Sequence, residues 1–75
     1  MEMPEKTDAF RENVRRYLKL QGLTQEQLAA RAELSPQWLN KMLRGHSNPT
    51  LPVCERIAGA LEISLEALVS IPANV

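Results

Sequence analysis

The amino-acid sequence predicts an all-α, compact five-helix domain, and three observations carry that expectation. Apolar side chains recur at helical spacing along the chain. Residues suited to cap helix starts stand repeatedly before those runs. No run alternates apolar and polar residues in the way a half-buried strand would. Seventy-five residues allow one domain, and a chain this short gains a modest margin from its core, so self-association would help it.

Thr7 or Asp8 is placed to cap a first helix whose Phe10, Val14, Tyr17 and Leu18 form one stripe. Arg11, Arg15 and Lys19 fall on the other side, Glu12 can pair with Arg16, and Gly22 reads as the C-cap. Thr24-Gln25-Glu26-Gln27 reads as a capping box opening a second helix to about Ala32. Ser35-Pro36 places a cap before a proline at the first helical position of a third, which reaches Leu43 or Arg44 and stops at Gly45. His46-Ser47-Asn48-Pro49 is a loop by composition. Thr50 caps a fourth helix, with Leu51, Cys54, Ile57, Ala58 and Leu61 at helical spacing, and Ser64 caps a short fifth through Leu68. The domain is thus expected over residues 7–69, between a flexible tail at 1–6 and an apolar tail at 70–75.

Composition narrows the function classes. The single cysteine, Cys54, permits no intrachain disulfide or cysteine-based metal cluster and reads as a small buried hydrophobe. The acidic start is no signal peptide, and no apolar run is long enough to span a bilayer, so the expected location is cytoplasmic, away from any membrane. The lone His46, the absence of a phosphate-cradling glycine loop and the absence of metal-ligand spacing argue against an enzyme and imply no cofactor. Net charge is zero, but it is unevenly spread. Residues 11–46 carry seven bases (Arg11, Arg15, Arg16, Lys19, Arg31, Lys41, Arg44) against three acids, and both flanks are net acidic. A cationic middle suits a one-sided contact with a polyanion, though an ordinary mixed surface would read the same way.

Helices two and three are short and joined by about three residues, which forces a sharp crossing. At roughly 100° per residue, Leu39, Met42 and Leu43 of the third helix cluster on one side. The opposite face carries Gln37, Lys41 and Arg44, flanked by Asn40 and Trp38, with no carboxylate. Gln can pair with adenine, and Lys or Arg with guanine, whereas Arg44 at the helix end suits a phosphate. Any amphipathic helix has a solvated polar face, so this pattern alone leaves both readings open.

Residues 23–45, Leu-Thr-Gln-Glu-Gln-Leu-Ala-Ala-Arg-Ala-Glu-Leu-Ser-Pro-Gln-Trp-Leu-Asn-Lys-Met-Leu-Arg-Gly, resemble the phage repressor and Cro type of helix-turn-helix. The likeness continues through Asn48-Pro49-Thr50, Ile57-Ala58, Leu61, Ser64-Leu65 and Leu68, from about residue 10 to residue 69. It implies a lambda-repressor-like fold that binds double-stranded DNA. It implies base contacts from Ser35, Pro36, Gln37 and Lys41, with sequence reading resting chiefly on Gln37 and Lys41. Backbone contacts would come from Thr24, Gln25, Trp38, Asn40, Arg44, His46, Ser47 and Asn48.

The sequence departs from that family at three points. Glu33 stands in the turn where the family usually has Gly, so it must accept a left-handed conformation at a cost of about 1 kcal/mol. Trp38 replaces a small polar residue, and partial core beside Met42 is the preferred reading over stacking on the DNA wall or on a protein. Leu18 and Leu43 stand where the family often pairs Arg with Glu; an apolar pair replaces an ionic one, and the two are expected to touch.

The expectation that follows is a sequence-specific transcriptional regulator, repressing more readily than activating, and binding a pseudo-palindromic operator as a homodimer. Leu65, Leu68, Val69 and Ile71 are candidates for the dimer contact. The alternative is a protein-interaction module, such as the antitoxin of a toxin–antitoxin pair, holding a protein partner at the Trp38 surface.

Overall fold

A computed structural model of the chain describes residues 6–70. Within them the order is α1 (Lys6–Gln21), α2 (Gln25–Ala32), α3 (Pro36–Leu43), α4 (Leu51–Leu61) and α5 (Leu65–Val69). Helices α2 to α5 each start on a side-chain cap. Thr24, Ser35, Thr50 and Ser64 hold extended backbone, and their hydroxyl oxygens accept from the amides of Gln27, Trp38, Val53 and Ala67. At α2 the box closes both ways, since the Thr24 amide donates to Gln27 Oε1 at 2.9 Å.

The helix C-termini are finished from a distance. Arg56 of α4 donates to the Ala32 and Glu33 carbonyls at the end of α2, at 3.1 and 2.6 Å. Arg11 and Arg15 of α1 donate to the Met42 and Leu43 carbonyls at the end of α3. Gln21 donates to Leu61 at the end of α4 at 2.8 Å, and Asn13 to Leu68 and Ser70 at the end of α5 at 2.7 and 2.8 Å. Carbonyls that a helix end would leave without partners are thereby satisfied. Among the described residues no buried side-chain nitrogen or oxygen lacks a hydrogen bond.

One core joins all five helices. Phe10 and Val14 of α1, Leu28 of α2, Leu39, Met42 and Leu43 of α3, Ile57 and Leu61 of α4, and Leu68 of α5 are fully enclosed. Helix α1 packs on α3 and α5, and α2 packs on α3 and α4. The α2–α3 pair therefore rests on a two-sided platform that leaves the outer face of α3 uncovered. Leu18 and Leu43 are both buried in this core.

The structure corrects several local expectations. Helix α1 opens at Lys6, inside the segment read as a tail, so Thr7 and Asp8 are not its caps; Asp8 instead lies in the first turn and pairs with Arg11 at 2.9 Å. Arg11 is 8% exposed rather than on the solvent face, because the carbonyls at the end of α3 and in the following loop need its donors. Glu12 lies 3.8 Å from Arg15 rather than pairing with Arg16. Leu51, at helical spacing in α4, is 61% exposed because it occupies the first turn, outside the core. Glu33 takes the left-handed conformation expected of it (φ 59°), and Glu62 does the same at the end of α4 (φ 61°).

Candidate nucleic-acid interface

The capping box of α2 uses the amides of Thr24 and Gln27. Of the donors a helix start leaves over, those of Gln25 and Glu26 remain at the surface, where the positive end of the helix dipole favours an anion. Beside them α3 presents Ser35, Pro36, Gln37, Lys41 and Arg44, all exposed. Thr24, Gln25, Pro36, Gln37, Asn40 and Lys41 line one open groove between the two helices. Six of the predicted contact residues thus meet on a single concave surface.

Polar contacts within this surface set what each side chain can offer. The Ser35 hydroxyl accepts from the Trp38 amide at 3.1 Å and donates to Gln37 Oε1 at 3.0 Å, so it is occupied in capping α3 and steadying Gln37. That bond leaves the Gln37 amide nitrogen as an outward donor. Asn40 Nδ2 donates to Gln25 Oε1 at 3.2 Å, tying the start of α2 to the middle of α3. Arg44 Nη1 donates to Asn40 Oδ1 at 3.4 Å. Lys41 is exposed with its charge available.

The remaining predicted residues are spread more widely. Trp38 is half-buried and packs against the core, in line with its reading as partial core. His46 is exposed in the loop after α3. Ser47 and Asn48 are held by Arg11, whose Nη2 donates to the Ser47 carbonyl at 3.0 Å and to Asn48 Oδ1 at 2.9 Å. Leu65 and Val69 are half-buried at the edge of the core. Leu68 is fully enclosed within the chain, so its side chain is not at the surface where the dimer contact for which it was a candidate would form, and the Asn13 side chain donates to its carbonyl. Ile71 lies outside the described residues.

Two participants were not foreseen. Glu26 also lines the groove, so an acid borders a surface whose α3 side carries none. Its place in the first turn of a capped helix was readable, but the crossing that turns it toward α3 was not. Arg11 acts on the loop from behind, although helical spacing had set it on the side away from the apolar stripe.

Residues 14–68 match the model of the helix-turn-helix family, and the matched span contains the whole α2–α3 surface. The chain belongs to the helix-turn-helix family. This helix-turn-helix protein is 40% identical over 58 residues to an uncharacterized HTH-type transcriptional regulator of Sinorhizobium fredii, covering 77% of the chain and 75% of that relative. It is 45% identical over 51 residues to the immunity repressor protein of Bacillus phage phi105, covering 68% of the chain but 35% of the repressor. Its fold is similar to the crystal structure of the hypothetical transcription factor NHTF from Neisseria, with a TM-score of 0.84 and 25% identity, covering 96% of this chain and 86% of that one. The family and these relatives are transcriptional regulators rather than enzymes. Among the described residues no helix is long and apolar enough to cross a membrane.

Proposed function

We propose that this helix-turn-helix protein reads double-stranded DNA by docking α3 in the major groove, and that it acts in the cytoplasm as a small repressor of transcription. The observation that carries the reading is the exposed face of α3. Gln37 and Lys41 stand outward on it, no carboxylate interrupts it, and the start of α2 flanks it. Gln37 and Lys41 discriminate bases, and the α2 amides, Gln25 and Arg44 hold the phosphate backbone. The likeness to a named phage immunity repressor supports repression over activation.

Binding as a homodimer follows from contact economy, since one such module offers few contacts for a tight complex. Leu65 and Val69 of α5, half-buried in one chain, supply the seam in this reading, and the operator is a pseudo-palindrome with half-sites about one helical turn apart. The test is selection of duplexes from a random library near physiological salt, with a Gln37→Ala/Lys41→Ala double variant run in parallel. A palindromic motif that the variant no longer selects is the expected result. A folded wild-type chain that enriches no sequence refutes the proposal.

A further inference from the structure

We propose that Asn40 is a positioning residue that orients Gln25 toward a DNA phosphate, through a one-way chain of hydrogen bonds starting at Arg44; this rests on the DNA-binding reading above. The chain runs from Arg44 Nη1 to Asn40 Oδ1 at 3.4 Å, then from Asn40 Nδ2 to Gln25 Oε1 at 3.2 Å. Its direction is fixed by chemistry. A guanidinium only donates, so the Asn40 atom that faces Arg44 is the carbonyl oxygen. The Asn40 amide nitrogen is therefore left for Gln25, and it can only meet the Gln25 oxygen. Gln25 is then left with its NH2 group, and donors are what a phosphate needs. Each link polarises the next in the same sense, which strengthens the final donor.

Asn40 is half-buried, and both ends of its amide are engaged within the protein. It thus acts through Gln25 and Arg44 rather than as a backbone contact of its own. It also spans the two helices of the reading unit, so the presentation of the α2 contact depends on a residue of α3.

The experiment measures affinity for the duplex selected by the wild-type chain, with Gln25→Ala, Asn40→Ala, the double variant, and Asn40→Asp in both backgrounds. Loss of a hydrogen bond to a charged group predicts about a tenfold weakening for Gln25→Ala. Asn40→Ala weakens binding several-fold in the wild-type background and has little further effect once Gln25 is gone. Asn40→Asp reverses the last link, because a carboxylate can only accept. Gln25 then turns its NH2 inward and its oxygen toward the phosphate, so Asp is worse than Ala when Gln25 is present. In the Gln25→Ala background Asp retains only the effect of its added charge. Base preference stays unchanged throughout, and the Gln25 side-chain amide resonances, which move on DNA binding in the wild type, cease to move in Asn40→Ala. Should Asn40→Ala unfold the chain, the Asp comparison in the two backgrounds carries the test.

Asn40→Ala binding like wild type, or losses at Asn40 and Gln25 that simply multiply, overturns the relay while leaving the DNA-binding reading intact. A folded wild-type chain that binds no duplex overturns both.

Discussion

Replacing Arg11 tests whether one buried side chain holds the end of α3 and its following loop in place. Its guanidinium donates to the Met42 carbonyl at 2.7 Å, the Ser47 carbonyl at 3.0 Å, Asn48 Oδ1 at 2.9 Å and Asp8 Oδ1 at 2.9 Å. Arg11→Met keeps most of the apolar stem, so the change isolates the loss of donors. A hydrogen bond from a charged donor is worth about 1.5–3 kcal/mol. The buried Met42 carbonyl loses the Arg11 donor but keeps the Gly45 amide at 3.0 Å, and the part-buried Ser47 carbonyl loses the Arg11 donor as well. The Asp8 pair adds little, because Asp8 is mostly exposed and such pairs are worth about 0–1 kcal/mol. Removing a buried cation returns part of its desolvation penalty. The net expectation is a loss of about 2–4 kcal/mol. A domain of this size has of order 4–11 kcal/mol in total, so the melting temperature should fall by about 10–25 °C.

Urea unfolding followed by far-ultraviolet circular dichroism measures the effect, with an unchanged m-value showing that the same structure is lost. Arg11→Lys retains the charge but not the fork that reaches four acceptors, and should fall between wild type and Met. A loss below about 0.5 kcal/mol for Met, within the range of an ordinary surface substitution, refutes the anchoring role. So does a Lys variant as stable as wild type, because geometry would then count for nothing.

Three further outcomes follow from particular side chains. Glu33→Gly relieves a left-handed backbone (φ 59°) while keeping the carbonyl that Arg56 binds, and should raise the melting temperature by about 4–8 °C for roughly 1 kcal/mol regained; a lower value contradicts the strain argument. Glu26→Gln removes the carboxylate bordering the groove and should tighten DNA binding about two- to fivefold at low salt, less at high salt, with base preference unchanged; titrations at two ionic strengths measure it. Burial pushes the Cys54 thiol up, and the charge of Glu55 adds to the shift. The fold therefore favours the neutral thiol: its contribution to stability is intact below the ordinary cysteine range and declines as pH rises above it. Alkylation should be slow in the native chain and fast in denaturant, and equal rates would contradict the burial.

The helix starts were legible because a cap acts on its own next turn. Thr24, Ser35, Thr50 and Ser64 each bond an amide three residues on, so a local pattern contains the whole interaction. The helix ends were legible as positions, at Gly22, Ala32 and Gly45, but the groups that satisfy their carbonyls were not, because Arg11, Asn13, Gln21 and Arg56 reach them from far away in sequence. The outer face of α3 followed from periodicity alone, but the placement of Glu26 and the Gln25–Asn40 bond required the crossing of two helices. The same long-range bonds change the meaning of the charge pattern.

Seven bases over residues 11–46 suggest a strongly electrostatic grip on DNA. Arg11 is consumed by carbonyls, Arg15 is shared between the Leu43 carbonyl and Glu12, Arg16 and Lys19 lie with Arg15 and Glu12 on the outer face of α1, and Arg31 is exposed on α2 outside the groove. Lys41 and Arg44 are the two cations on the α3 surface, where neutral amides supply the other donors. Each phosphate neutralised by a cation contributes a slope of about −0.9 to log K against log salt. The slope expected is therefore about −2 per protomer and about −4 for a dimer on its operator. A measured slope near −8 for the dimer would mean that cations outside the groove, those of α1 and Arg31 of α2, also reach the duplex, and that the contact surface extends well beyond the groove between α2 and α3.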